Sequence, residues 1–365
     1  MPRKFKMLLD YTIQNNENRI IDKPLCRFYT VPLNRTPANS CGIYKGCAYI
    51  MENLIFSLNA TIPVFLLMVL GYILRQLKVV DEPFVNTLNS FNFKITLPVL
   101  LFRDIADSDF YSVWDTRYVL YCFFVTFFCI AVIWLLTAFF YKDKTHAGEF
   151  VQASFRGSAA VLGIAFIQNI YGNAGMAPLM IIGTVPLYNI AAVLILSFTG
   201  PHREASGKKA LLKSVKGILT NPIIIGILLG MAVSAAGLRF PFIISKSIDS
   251  VSSLATPLAL LGLGAGFEGR KALKQIKPTI FCSAVKLLVQ PLLFLPLAAA
   301  LGFRDEKMVA ILIMLGAPTT VSCYIMAKNM GHEGTLTSSV VVATTFFSSV
   351  TITLWLFVLR SFGLI

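Results

Sequence analysis

Ten stretches of this 365-residue chain are apolar over about 20 residues each, and their recurrence constrains the fold more than any single motif. A helix rises 1.5 Å per residue, so about 20 residues cross a hydrocarbon core of about 30 Å. The stretches fall at about 55–75, 84–106, 118–141, 150–171, 175–199, 217–237, 242–267, 278–302, 308–330 and 336–359, with short loops between them. The chain is 56% hydrophobic and 14% charged, whereas soluble domains are nearer half apolar and a quarter charged. The expectation is an all-α polytopic membrane protein with ten transmembrane helices in a lipid bilayer. The net charge of +14 does not point to nucleic acid, because Lys and Arg cluster in the loops between apolar runs, as membrane topology requires. Seven Cys form no CxxC pair, and His146, His202 and His332 all fall in predicted loops. No metal, cofactor or catalytic residue is therefore expected. A membrane-embedded enzyme would need an acid, base or metal cluster in its spans.

Residues 1–50 read differently. They are polar and irregular, carry eight Lys and Arg against three Asp and Glu, and lack a signal-peptide core. Met51 leads at once into the first apolar run, so 1–50 are expected to be a disordered extension or to lie upstream of the functional start. The remainder divides at the basic linker GPHREASGKKALLKSVKG (200–217). Residues 51–199 form one five-helix repeat, 200–216 the linker and 217–365 a second repeat. Pro63 matches Pro222, Gly71 matches Gly230 and Pro98 matches Pro257, each 159 residues apart; Val161 matches Val321 and Asn169 matches Asn329, 160 apart. A register held across three spans indicates duplication. Five spans per repeat force the second copy to be inverted, the arrangement found in secondary transporters. With the linker in the cytoplasm, inner loops carry fourteen Lys and Arg and outer loops six, which follows the positive-inside rule and places both ends of the core outside.

The ninth run, ILIMLGAPTTVSCYIMAKNMG (311–331), carries a helix breaker at its centre. Pro318 removes a backbone donor and Gly316 adds flexibility. Irregular backbone inside a bilayer survives only against protein or a water-filled cavity. The fourth run has its own weak point at Gly157, Ser158 and Gly163. Paired interruptions in two repeats point to a binding site, and half-helix N-termini there suit an anion. Packing kinks are the alternative. The candidate substrate-binding residues are Arg156, Gly157, Ser158 and Ala159 on the fourth run, Ala317, Pro318, Thr319 and Thr320 on the ninth, and Asn92 and Lys94 on the second. Arg156 either meets a substrate carboxylate or snorkels to the interface. Ser322, Asp249 and Thr256 are candidates for ion coupling. Asn89 and Ser252 line a cavity or bond between helices. Lys246 reads as snorkelling, and Lys286 as the structural partner of Asp249.

Five stretches together resemble the auxin efflux carrier family in its bacterial-type form: FNFKITLPVLLF (91–102), ASFRGSAAVLGIAF (153–166), VPLYNIAAVLILS (185–197), ATPLALLGLGAGF (255–267) and GAPTTVSCYIMAKNMG (316–331). The resemblance runs from Met51 to the end. It implies ten helices as two inverted repeats of five, with broken fourth and ninth helices crossing. It implies transport of small organic anions, which are auxin in plants and dicarboxylates such as malate or malonate in bacterial members, and a homodimer. Plant carriers place Asn with Pro at the crossover. Here those positions read Gly157-Ser158-Ala159 and Ala317-Pro318-Thr319, and the linker is short, so a bacterial-like carboxylate carrier is the expectation. Coupling to protons, to sodium or to membrane potential alone stays open, as does the direction of transport.

Overall fold

The computed structural model describes residues 38–106, 114–141, 143–159, 167, 170–171, 176–199 and 220–365. The chain divides into two units, Met1–Cys47 and Ala48–Ile365. Every regular element among the described residues is helical. In order they are α1 (Ala38–Gln76), α2 (Glu82–Phe91), a π turn (Asn92–Thr96), α3 (Leu97–Ala106), α4 (Thr116–Phe140), α5 (Ala147–Phe155), α6 (Ala177–Thr199), α7 (Pro222–Ala235), α8 (Phe242–Ala265), α9 (Gly269–Lys274), α10 (Ile276–Ala284), a second π turn (Val285–Val289), α11 (Gln290–Ala300), α12 (Asp305–Gly316), α13 (Ser322–Asn329) and α14 (Thr335–Ser361). Residues 38–50 are helical, so the irregular backbone expected for 1–50 does not extend to them. The rest of that segment, the 200–216 linker, Val161 and Asn169 lie outside the described residues.

Local sequence sets the helix ends. Asp81 and Asn221 cap α2 and α7 by accepting from Phe84 N and Ile223 N at 2.9 and 3.0 Å, with a proline in the first turn of each, where a missing N–H costs nothing. α14 starts at Gly334, whose φ of +73° suits glycine. Its first N–H groups find a distant acceptor: buried Glu149 accepts from Gly334 N at 2.8 Å and from Thr337 N at 3.0 Å. A carboxylate at this end also complements the helix dipole.

Both π turns end two residues before a proline, at Pro98 and Pro291. A proline ring crowds the carbonyl four residues back and offers it no donor, and the wider turn relieves that crowding. At the second turn the carbonyl concerned is that of Leu287, and Trp355 Nε1 donates to it at 3.0 Å.

Among the described residues, five helices are long and apolar enough to cross a membrane: α4, α6, α8, the α10–α11 rod (Ile276–Ala300) and α14; Ile62–Gln76 and α7 are shorter apolar helices. α4 shows the outer face of the bundle, with Phe124, Phe127, Phe128, Leu135, Phe139 and Phe140 exposed. The short helices α5 and α12 occupy the interior. Every residue of α5 is buried, as is every residue of α12 from Met308 to Gly316.

Several glycines let helices approach closely, and two of them form a matched pair. A Cβ on Gly71 of α1 would lie 2.3 Å from Leu261 O of α8, and one on Gly230 of α7 would lie 2.8 Å from Phe102 O of α3. Both members of the second contact differ from those of the first by 159 residues. Gly71→Ala should cost about 1–3 kcal/mol, because backbone rather than a pliant side chain must yield; the fall in melting temperature of the purified protein measures it.

At the start of α4, Asp115 caps the helix through Tyr118 N at 3.1 Å and pairs with Lys307 at 2.5 Å. The Lys307 hydrogen bond, outweighing partial burial, holds the Asp115 carboxyl below its ordinary value. A carboxyl depressed on folding stabilises fully above its unfolded value, about 3.9, and loses that contribution as pH falls through its folded value. Asp115→Asn should therefore lower stability at neutral pH by less than about 1 kcal/mol, the pair being partly exposed. Melting curves of wild type and variant should converge below about pH 4.

Candidate functional site

Two helices stop in the middle of the bundle. α12 ends at Gly316 because Pro318 forces the residue before it into extended backbone, and Ala317 adopts φ −66° and ψ 150°. α5 ends at Phe155, where Arg156 turns extended with φ −75° and ψ 133°. No proline enforces that second break. The two stretches of irregular backbone meet: Ser158 N donates to Pro318 O at 2.8 Å.

A helix end buried away from water leaves carbonyls that must find donors. The last four carbonyls of α5 all do. Gln152 O accepts from Arg156 N at 3.1 Å, Ala153 O from Thr319 Oγ1 at 2.8 Å, Ser154 O from Gln290 Nε2 at 2.7 Å and Phe155 O from Lys286 Nζ at 3.3 Å. Lys286 Nζ also donates to Met314 O, in the last turn of α12, at 3.1 Å. Thr319 N donates to Thr344 Oγ1 of α14 at 3.0 Å, and Tyr188 OH to Gly157 O at 3.3 Å. This junction is therefore tied to α6, α14 and the α10–α11 rod.

At this junction lies a cavity of about 110 Å³, room for roughly seven to eleven water-sized groups given that one water needs roughly 10–15 Å³. Arg156, Gly157, Ser158 and Ala159 line one side, and Pro318, Thr319, Thr320, Val321 and Ser322 another. Leu97, Leu100, Leu101 and Asp104 of α3, Tyr188 and Asn189 of α6, and Ala255 and Thr256 of α8 complete it. α13 begins at Ser322 with no side-chain cap, so the positive end of its dipole faces this space.

Arg156 dominates the electrostatics. It is 1% exposed, and its guanidinium donates to Met326 Sδ at 2.7 Å, Asn189 Oδ1 at 2.6 Å and Ser322 Oγ at 3.0 Å. Its carbon lies 5.7 Å from the centre of the Tyr188 ring. No carboxylate pairs with it among the described residues, and its Nε–H has no partner. A buried cation supported only by neutral groups is strained electrostatically and awaits a counter-charge.

Residues 56–356 match the membrane transport protein family. The chain belongs to this auxin efflux carrier-like family of membrane transporters. An "Uncharacterized transporter" of Methanothermobacter thermautotrophicus is 25% identical over 83% of this chain and 98% of its own. "Uncharacterized transporter YfdV" of Escherichia coli K12 is 24% identical over 84% and 99%, and a "Putative malonate transporter" of Rhizobium meliloti 23% over 82% and 95%. With its apolar helices, the chain is a multi-pass membrane protein.

In this transporter the structure gathers nine of the sequence candidates around the cavity: Arg156, Gly157, Ser158, Ala159, Thr256, Pro318, Thr319, Thr320 and Ser322. Ala317 is buried beside Gly157 and does not line it. Asn92 is spent between helices, donating to Ala255 O at 3.0 Å. Lys94 is exposed on the outer surface of its π turn. Asp249 is half-exposed and pairs with Arg103 Nε at 2.7 Å, which corrects the expected pairing with Lys286. Lys246 is exposed over the Phe242 ring, as snorkelling anticipates, and Asn89 and Ser252 are buried without lining the cavity. Asp104, Tyr188, Asn189 and the supporting Lys286 escaped the site prediction, although Tyr188 and Asn189 stand in VPLYNIAAVLILS. Thr319→Val keeps the volume but leaves Ala153 O unpaired, and should destabilise by about 1–3 kcal/mol. Thr319→Ser should recover most of that in the same thermal melts.

Proposed function

We propose that this protein is a secondary transporter that carries small organic anions, carboxylates of the malonate and malate class, across the cell membrane by alternating access. The observation that carries the reading is Arg156, a buried guanidinium on the cavity wall with an unpaired Nε–H and no carboxylate partner among the described residues. A substrate carboxylate supplies the missing charge and accepts in a fork geometry that a lysine could not offer. The start of α13 and the hydroxyl pair of Thr320 and Ser322 can donate to the same ligand. The named malonate transporter of Rhizobium meliloti supports the substrate class.

Transport rather than catalysis is the activity we infer, because the groups on the cavity wall bind and orient but include no acid–base pair with a nucleophile. The proposed frame has ten spans, arranged as two inverted repeats of five that run from 51 to 199 and from 217 to 365. Support comes from the Gly71–Leu261 and Gly230–Phe102 contacts, which repeat at the same offset, and from breaks that follow Phe155 and Gly316, 161 residues apart. The basic linker is placed in the cytoplasm by the charge distribution of the loops.

Ligand binding to the folded state raises its stability by about 2.7 kcal/mol at a hundredfold excess over Kd. Malonate or malate should raise the melting temperature of the purified protein, and Arg156→Ala should abolish the shift. Arg156→Lys should retain only part of it, since the ammonium lacks the fork. A shift produced only by neutral or cationic solutes, or one unchanged in Arg156→Ala, would sink both the substrate class and the site.

A further inference from the structure

Among the described residues, two Lys or Arg side chains are wholly buried in the bundle, and of these only Arg156 lines the cavity. The other is Lys286, 0% exposed, held on the second π turn. It stands one layer behind the site: a Cβ on Gly157 would come within 3.0 Å of its Nζ. That Nζ is 3.3 Å from Phe155 O and 3.1 Å from Met314 O. Phe155 closes α5, and Met314 lies in the last turn of α12. The C-terminal ends of both broken helices therefore converge on one ammonium. Each end carries about half a negative charge, and Lys286 forms no ion pair with a carboxylate among the described residues. Converging carbonyls at the ends of broken helices are the surroundings in which transporters hold a dehydrated sodium ion. Here a side chain fills that role.

We propose that Lys286 is a tethered substitute for a coupling cation: its charge joins the two helix ends, positions 156–158 for the anion, and makes substrate binding independent of sodium. This inference rests on the anion-carrier reading. Lys286 is a positioning residue, because Gly157 stands between it and the cavity. A lysine that merely filled space would be replaceable by methionine, which matches its length and lacks its charge.

The test uses the purified full chain with malonate as ligand. Wild-type affinity should be the same in sodium chloride and in choline chloride at equal ionic strength. Lys286→Met should weaken malonate binding about ten- to a hundredfold, the effect of losing hydrogen bonds from a charged donor. Sodium or methylammonium should recover part of it by entering the vacated cage. Lys286→Gln, which keeps an N–H but no charge, should behave like the methionine variant. Wild-type binding that requires sodium overturns the proposal. So does either variant binding malonate as tightly as wild type, or a weakening that no small cation relieves. Should Lys286→Met not fold, the wild-type salt comparison and Lys286→Gln decide. If wild type binds no carboxylate at all, the anion reading fails separately. Melting temperatures then test Lys286 alone: the variants should gain a stabilisation by sodium or methylammonium that wild type lacks, and its absence overturns the proposal.

Discussion

A carbonyl at the end of a helix that stops inside a bilayer has no water to turn to. Leaving it unpaired costs several kcal/mol, and this membrane protein ends two helices among buried residues of its bundle. The four terminal carbonyls of α5 are each met by a different donor, from Arg156, Thr319, Gln290 and Lys286. Those donors belong to the break itself, to the opposing break and to the α10–α11 rod. The need to satisfy one helix end thus fixes the relative positions of three parts of the bundle. The cavity follows from the same requirement. It is lined by the extended residues that follow both helix ends, Arg156 to Ser158 and Pro318 to Thr320.

Electrostatics then gives that cavity its sign. Arg156 and Lys286 are both fully enclosed, and neither is paired with a carboxylate among the described residues. They face opposite ways and meet different needs. Lys286 faces carbonyls and is satisfied by the negative ends of two dipoles. Arg156 faces the cavity with a sulfur, an amide oxygen and a hydroxyl for company, none of which carries a formal charge. Asp104, which also lines the cavity, is 3.7 Å from Arg103, and Arg103 in turn pairs with Asp249.

The parts of this arrangement that were legible in the sequence are those set by local backbone chemistry. Pro318 announces the end of α12, and charge at depth announces Arg156. What stayed hidden is which face of a helix a residue presents, because the π turns change it. One extra residue in a turn rotates everything after it by about 100°. Lys94 and Lys286 both sit on a π turn just ahead of a proline, and one ends on the surface while the other ends in the core. Sequence spacing gave both a depth in the membrane and neither a direction, which is how Lys286 came to be matched with Asp249. Asp104 was hidden differently: it stands near the end of an apolar run, beside Arg103, where a charge carries no signal of depth. The 200–216 linker and the second half of the fourth run remain sequence readings.

The proposed repeat accounts for the frame better than for the site. The glycine contacts of α1 with α8 and of α7 with α3 recur at one offset, as that proposal expects. The breaks do not match in their chemistry. Pro318 makes the end of α12 obligatory, since no backbone relaxation restores a donor that proline lacks. The end of α5 has no such lock. It is held open by Ser158 N on Pro318 O, by Thr319 on Ala153 O and by Lys286 on Phe155 O. One break is therefore written into the covalent chain, and the other is imposed by it through hydrogen bonds. Arg156, the charge on which the site turns, sits on the imposed side. Its position consequently depends on every bond that keeps α5 from continuing, and a change that loosened any of them would move the guanidinium before it moved the hydroxyls opposite.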